Sequence, residues 1–125
     1  MLNLGLGNVR TVLCLGAHAD DIEIGCGGTL LEMLAANDRV NVCWVVLSST
    51  PQRAAEAVSS AELFLESAAE RQIIVKEFRD RFFPCELESI KDYFDELGRS
   101  INPDLIFTHR RDDMHQDHRV VSELT

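Results

Sequence analysis

Short apolar runs alternate with helical segments along almost the whole chain, and this alternation constrains the fold more than any other feature. The apolar runs are continuous, as is typical of strands that are covered on both faces in a parallel sheet. The predicted strands are residues 11–18, 40–47, 73–78 and 105–108, and the predicted helices are residues 27–37, 52–71 and 86–99. This order predicts an α/β fold with a mainly parallel, four-stranded sheet.

Right-handed crossovers would place helices on both faces of this sheet, which predicts a Rossmann-like three-layer sandwich. No linker, repeat or low-complexity tract interrupts the pattern, so residues 1–125 are interpreted as a single domain. Residues 118–125 read as a helix that stops soon after it begins. We therefore expect a domain that is truncated at its carboxyl end, with a frayed terminus as the alternative.

Charge and hydropathy exclude several kinds of partner. Twelve Lys and Arg residues against twenty-one Asp and Glu residues leave a formal net charge of -9, which repels nucleic acid. The longest apolar stretches, residues 12–17 and 40–47, are far shorter than the roughly 20 residues of a membrane span. An unpaired edge of so small a sheet leaves homo-oligomer formation open.

The amino-terminal segment and the cysteines bear on location. Residues 1–8 contain no basic start and are broken by Gly5 and Gly7, so they do not resemble a secretion signal. The four cysteines form no C-x-x-C pair, and two lie within predicted strands; they are Cys14, Cys26, Cys43 and Cys85. We therefore expect a cytoplasmic protein in a reducing compartment.

Two clusters of metal-binding residue types follow predicted strands. The first is His18-Ala19-Asp20-Asp21, and the second runs from Asp113 to His118 and includes two imidazoles. Each has a plainer interpretation, as a helix-capping turn or as a solvated helix start. Because both follow strands at the edge where this architecture builds its sites, a shared centre with nitrogen and oxygen ligands is favoured.

Both clusters also resemble signatures of one enzyme family. Residues 12–30 read VLCLGAHADDIEIGCGGTL, which resembles the A-H-P-D-D signature of the LmbE-like, or PIG-L, family of zinc-dependent de-N-acetylases. Residues 112–119 read DDMHQDHR, which is similar to the second signature of that family, H-x-D-H. The two signatures occur in the family's order, and its members are generally longer than this chain.

The resemblance implies a function and a division of roles. It implies a hydrolase that removes an acetyl group from a small N-acetylglucosamine-type sugar, by attack of metal-activated water on an amide that is not a peptide bond. The implied zinc ligands are His18, Asp21 and His118, with another divalent transition metal as the alternative. Asp20 is the implied general base, and His115 would stabilise the oxyanion or protonate the leaving amine. Asp117 would then orient or tune His115.

Two positions near the first signature raise separate expectations. Ala19 stands where the family usually has proline, which leaves the turn before Asp20 freer. The glycine-rich run at residues 25–28 is similar to the family's helix start, and it is interpreted either as exposed amides facing an anion or as close packing against the sheet. Cys26, within that run, is not expected to bind metal.

The arginines are candidates of a weaker kind. Arg53 is similar to a family arginine that can reach substrate, although an ion pair with Glu56 is the alternative. The arginines around the second signature could meet an anionic group of a substrate or remain solvated; they are Arg110, Arg111 and Arg119. His109 is expected near the pocket, with no role assigned.

Two rival functions are weighed against this interpretation. A nucleotide-binding domain is disfavoured because no G-x-G-x-x-G pattern follows a strand, since Leu30 stands where the third glycine would be. The stronger alternative is a metal-binding fragment, or binding module of the same fold, that lacks a complete substrate pocket. Zinc binding without amine release would favour this alternative.

Overall fold

The sheet has four parallel strands. A computed structural model describes residues 5–125, so the first part of the segment interpreted as lacking a secretion signal lies outside the described residues. The strands are β1 (Thr11–His18), β2 (Asn41–Ser48), β3 (Glu70–Val75) and β4 (Leu105–Phe107), and their spatial order is β3-β2-β1-β4. The predicted α/β class and parallel sheet are therefore confirmed.

Four helices cover the sheet. They are α1 (Asp21–Ala36), α2 (Pro51–Phe64), α3 (Leu87–Ser100) and α4 (Gln116–Leu124), and two short 3-10 turns lie at Leu6–Asn8 and Phe83–Glu86. No helix in the described part of the chain is long and apolar enough to cross a lipid bilayer.

The core consists of two layers, one on each face of the sheet. Successive side chains of a strand point to opposite faces, so Val12 and Cys14 pack with Leu30 of α1, whereas Leu13 and Leu15 pack with Ile90 and other residues of α3 and α4. All of these strand residues are almost fully buried. This arrangement produces the predicted three-layer sandwich.

Helix α1 corrects one prediction. It begins at Asp21 rather than at residue 27, so the glycine-rich run lies inside the helix. The amides of this run belong to the helix interior, beyond its four free amino-terminal N–H groups, and are not presented to an anion. The packing interpretation holds for Gly27, because a Cβ atom built there would lie 2.6 Å from Cε1 of Phe64.

The segment from α2 to β3 corrects another prediction. Helix α2 ends at Phe64 instead of residue 71, and β3 spans Glu70–Val75 instead of residues 73–78. The first half of β3, at the edge of the sheet, is exposed and polar, so it lacks the continuous apolar run that predicts a strand. Hydrophobic periodicity identifies covered strands and misses an exposed edge.

The glycines of α1 provide a matched test of this packing. Replacing Gly28 by alanine should raise the free energy of unfolding by about 0.5–1 kcal/mol, because no atom lies within 4 Å of the new Cβ and glycine disfavours helix interiors. Replacing Gly27 by alanine should lower it by about 1–3 kcal/mol, because the Phe64 ring must move. Urea unfolding followed by circular dichroism measures both, and equal effects would contradict the close approach of α1 to Phe64.

Candidate metal centre

The two predicted clusters meet at the carboxyl edge of the sheet. His18 is the last residue of β1 and Asp21 is the first residue of α1, so a single turn separates them. β4 pairs with β1 in parallel and ends at Phe107, which lies opposite Cys14 of β1. The segment after β4 returns over this edge and places His118 in the first turn of α4.

Three candidate ligand atoms form a nearly equilateral triangle. Nδ1 of His18 lies 3.4 Å from Oδ2 of Asp21 and 3.3 Å from Nε2 of His118, and Nε2 of His118 lies 3.3 Å from the same Asp21 oxygen. The three residues form one of the groups in the described chain with a spacing suited to metal binding. The structure thus brings together the three residues that the resemblance assigned as ligands.

This triangle fits a tetrahedral metal ion. Ligand bonds of about 2.0–2.1 Å to a tetrahedral zinc ion separate the ligand atoms by roughly 3.3–3.4 Å, which is the spacing observed. Two imidazoles and one carboxylate also match the donor sets of catalytic zinc and of non-haem iron(II). The residues present therefore fit a divalent transition metal with a position left open.

The second nitrogen of each candidate ligand histidine faces a carboxylate. Nε2 of His18 lies 2.9 Å from Oδ2 of Asp117, which is fully buried. Nδ1 of His118 lies 3.2 Å from Oδ2 of Asp113, and this buried nitrogen has no hydrogen-bond partner among the described residues. Carboxylates in these positions fix the orientation and tautomer of a ligand imidazole and increase its basicity.

The charges at the centre favour a cation. Burial alone would raise the pKa of the Asp21 carboxyl group, but contacts with His109 and His18 hold that pKa well below its usual range. Burial would likewise lower the pKa of His18, but hydrogen bonds to Asp21 and Asp117 outweigh it and raise that pKa to about 9. Asp21 is therefore ionised, and His18 holds a proton that a metal ion bound at its ring nitrogen would have to displace.

Asp20 has an unusual backbone conformation. It occupies the N-cap position of α1 with φ 80°, in the left-handed region, and its side chain makes no capping hydrogen bond. The side chain is exposed directly beside Asp21. A left-handed residue other than glycine costs roughly 1–2 kcal/mol, and here it keeps the carboxylate off the helix amides.

His115 lies beside both candidate ligand histidines. Its ring centroid is 4.7 Å from that of His18 and 4.8 Å from that of His118. Nδ1 of His115 accepts a hydrogen bond of 3.1 Å from the backbone N–H of Asp117, as the N-cap of α4. The Nδ1 lone pair is thus engaged, so a proton on this ring is carried by Nε2.

Asp117 has a different side-chain partner from the one expected. Its carboxylate hydrogen-bonds Nε2 of His18 and the backbone N–H groups of Arg81 and Phe83, and only its backbone contacts Nδ1 of His115. The side chain therefore contacts the candidate ligand His18 rather than His115. The direction of the Asp117 side chain follows from the start of α4, which the sequence motif alone does not specify.

A cavity of about 550 Å³ opens beside His18. Arg53 lies in its wall, in the first turn of α2, and forms no ion pair with Glu56 among the described contacts. The arginines near the second cluster are engaged elsewhere or exposed. Arg110 pairs with Asp112 at 2.9 Å, Arg119 donates to the carbonyl of Asp113, and Arg111 is exposed.

The structure adds residues that the sequence argument did not assign. Nε2 of His109 accepts a hydrogen bond from the Ala17 amide, and its ring stacks on that of His118 at 3.9 Å. Asp80 lies 3.1 Å from Nε2 of His18, in the loop after β3. The rule that sites gather at the carboxyl ends of parallel strands could have identified Asp80, whereas nothing in the motif indicated the contact of Asp113 with His118. Cys26 belongs to none of the possible metal-binding groups in the described chain.

Comparisons with known proteins agree with this geometry. A family model described as PIG-L, GlcNAc-PI de-N-acetylase, matches residues 13–125. The N,N'-diacetylchitobiose deacetylase from Pyrococcus horikoshii is similar, with 25% sequence identity, a TM-score of 0.66 and coverage of 99% of this chain and 51% of that one. A conserved protein from Thermus thermophilus shares the fold, with 24% identity, a TM-score of 0.65 and coverage of 90% and 52%.

The chain spans about half the length of these two structures. The family model nevertheless covers both signatures and every residue of the candidate metal centre. The resemblance seen in the sequence is therefore confirmed, and the chain belongs to the PIG-L, or LmbE-like, family of GlcNAc-PI de-N-acetylases.

Proposed function

We propose that this chain carries the metal centre of a zinc-dependent de-N-acetylase that removes the acetyl group from a small N-acetylglucosamine-type substrate. The observation that carries this proposal is the triangle of ligand atoms on His18, Asp21 and His118, with sides of 3.3–3.4 Å. Family membership and the similarity to a chitobiose deacetylase support the same reaction class.

The two imidazoles and the carboxylate would hold the ion. When bound, zinc supplies a Lewis acid that polarises an amide carbonyl and lowers the pKa of water to about 7. Another divalent transition metal, such as iron(II), shares this donor set and is the alternative cofactor. Asp117 and Asp113 would keep the two imidazoles in the orientation that binds it.

Asp20 would act as the general base. Its carboxylate is exposed next to the ligand Asp21 and is not used for helix capping. It can therefore accept the proton of the attacking water at one of its Oδ atoms. General-base catalysis of this kind contributes about 10²–10⁴-fold to the rate.

His115 would act as a hydrogen-bond or proton donor to the substrate amide. Because its Nδ1 accepts the Asp117 amide, Nε2 is the atom that carries a proton. That N–H can stabilise the developing oxyanion or protonate the departing amine. Asp117 supports this role through its backbone N–H rather than through its carboxylate.

The cavity beside His18 is the candidate substrate site. Ser49, Arg53 and Arg79 lie in its walls, and they offer hydroxyl and guanidinium donors to a polar, hydroxyl-rich ligand such as a sugar. The volume of about 550 Å³ is of the size that small-molecule sites usually have.

A metal-binding module without turnover is the second candidate. It is favoured by one observation, which is that the chain spans only about half of each similar structure, so part of a substrate pocket could be formed by residues outside it. Zinc content and release of free amine from an N-acetylglucosamine conjugate distinguish the two candidates. Zinc binding with no amine release at any substrate concentration would reject the enzyme proposal for this chain.

Replacing Asp21 by alanine should abolish zinc binding, because the triangle loses its only anionic ligand atom. We expect about one zinc per chain in the unmodified protein and less than a tenth of that in the variant, as measured by mass spectrometry after dialysis. Replacing Asp112 by alanine is the matched control, since Asp112 is exposed and pairs with Arg110. Equal zinc contents in the unmodified protein and the Asp21 variant would contradict the ligand assignment.

Replacing Asp20 by asparagine should leave zinc content unchanged and lower kcat by about 10²–10⁴-fold. Asparagine tolerates the left-handed conformation, so the turn is kept while the base is removed. The variant Asp38→Asn, at an exposed turn after α1, controls for the loss of a negative charge. A kcat within threefold of the unmodified protein would remove Asp20 from the base role.

Replacing Arg53 by alanine should raise KM about tenfold and change kcat little, because a charged donor to the substrate is lost. Glu56→Ala, one turn further along α2 and outside the cavity wall, is the matched control. An unchanged KM for the Arg53 variant would show that Arg53 does not contact substrate.

A further inference from the structure

Asp117 is the one charged side chain that is fully buried among the described residues. Its carboxylate is hydrogen-bonded by three donors, which are Nε2 of His18 at 2.9 Å, the N–H of Arg81 at 2.6 Å and the N–H of Phe83 at 3.1 Å. A buried carboxylate is stable only when it is hydrogen-bonded in this way. Asp117 thus joins a candidate metal ligand to a separate segment of the chain.

That segment is the loop of residues 79–83, which we call the pocket loop. Arg81 in this loop has φ 69°, a left-handed conformation that costs a residue with a side chain roughly 1–2 kcal/mol. Two side chains from the first turn of α4 hydrogen-bond the backbone of Arg81. The Asp117 carboxylate accepts the Arg81 N–H, and the side-chain amide of Gln116 donates to the Arg81 carbonyl oxygen. The loop conformation therefore depends on the same helical turn that carries His118.

The pocket loop also forms a wall of the cavity beside the metal centre. Residues 79–82 line the cavity together with His18. The ring of Phe83 lies 5.9 Å from that of His18, and the carboxylate of Asp80 lies 3.1 Å from Nε2 of His18. A change in the position of His18 would thus reach the cavity wall through direct contacts.

We propose that Asp117 is a positioning residue that couples occupancy of the metal centre to the conformation of the pocket loop. An ion held at Nδ1 of His18 would fix the position of the ring, whose Nε2 lies 2.9 Å from the Asp117 carboxylate. The carboxylate is then fixed in the place where it accepts the N–H groups of Arg81 and Phe83. This inference rests on the proposed metal dependence and goes beyond it, because it assigns the cavity wall a response to metal.

Thermodynamic linkage makes this coupling reciprocal. If metal stabilises the pocket loop, it increases the affinity for any ligand that binds the ordered loop. That ligand must then increase the affinity for metal by the same factor. The pocket loop would then be more stable in the metal-loaded protein than in the metal-free protein.

Asp113 provides a matched comparison. Its carboxylate contacts Nδ1 of His118, the other histidine ligand, and it makes no described contact with the pocket loop. Asp113→Asn and Asp117→Asn should each lower zinc affinity by about 10–100-fold. Only Asp117→Asn should also weaken the hydrogen bonds that join His18 to the pocket loop.

The experiment is amide hydrogen exchange followed by NMR on the 125-residue chain, with and without saturating zinc. In the unmodified protein and in Asp113→Asn, zinc should slow exchange at Arg81 and Phe83 by about tenfold or more. In Asp117→Asn at saturating zinc, exchange at these two amides should change less than twofold.

Two results would overturn the proposal. One is zinc binding to the unmodified protein with no change in exchange at Arg81 and Phe83, and the other is equal zinc-dependent protection in Asp117→Asn. If Asp117→Asn does not fold, Gln116→Ala replaces it, since this variant releases the Arg81 carbonyl without contacting His18. This variant should reduce the zinc-dependent protection of the Arg81 amide. Full protection of that amide would contradict the proposal that the first turn of α4 holds the pocket loop.

These readouts separate the inference from the proposed function. Zinc-dependent protection without amine release would reject the deacetylase proposal and leave the coupling intact. Amine release without zinc-dependent protection would do the reverse. Failure of the unmodified chain to bind any divalent ion would overturn both.

Discussion

The parallel pairing of β1 with β4 is the constraint on which the metal centre depends. β1 lies between β2 and β4 and is covered by core side chains on both faces, so its end is held firmly in place. Since β4 runs in the same direction, the segments after both strands leave the sheet at the same edge. His18 and His118 are 100 positions apart in the chain, and this pairing brings their ring nitrogens within 3.3 Å. Without the pairing, neither signature contains enough ligands for a metal site.

The second signature contributes more than a ligand. Within six residues it supplies the candidate ligand His118, the neighbouring imidazole of His115, and the carboxylates of Asp113 and Asp117 that face the two candidate ligand histidines. The first turn of α4 and the residues just before it therefore contact both imidazoles and the loop that forms a wall of the cavity.

Covered elements and ligand positions could be predicted from the sequence, whereas side-chain directions could not. Strands β1 and β2 are recognisable because burial on both faces requires continuous apolar runs. The exposed start of β3 carries Glu70, Arg71 and Gln72, which give no such signal. The partner of Asp117 depends on the rotation of α4, and the left-handed Arg81 depends on contacts 35 and 36 residues away in sequence. Long-range contacts of this kind override local preference, so local patterns did not indicate the pocket loop.

The left-handed backbone at Asp20 limits which residues can occupy this position without strain. Among amino acids with a carboxylate, aspartate enters this region more easily than glutamate, because its short side chain can interact locally with the backbone. Glutamate at this position would pay a conformational penalty, and its carboxylate would lie further from the backbone than that of aspartate. Under the proposed base role, the reaction and the torsion angle would both favour aspartate at position 20, whereas asparagine and glycine would keep the backbone conformation and remove the base.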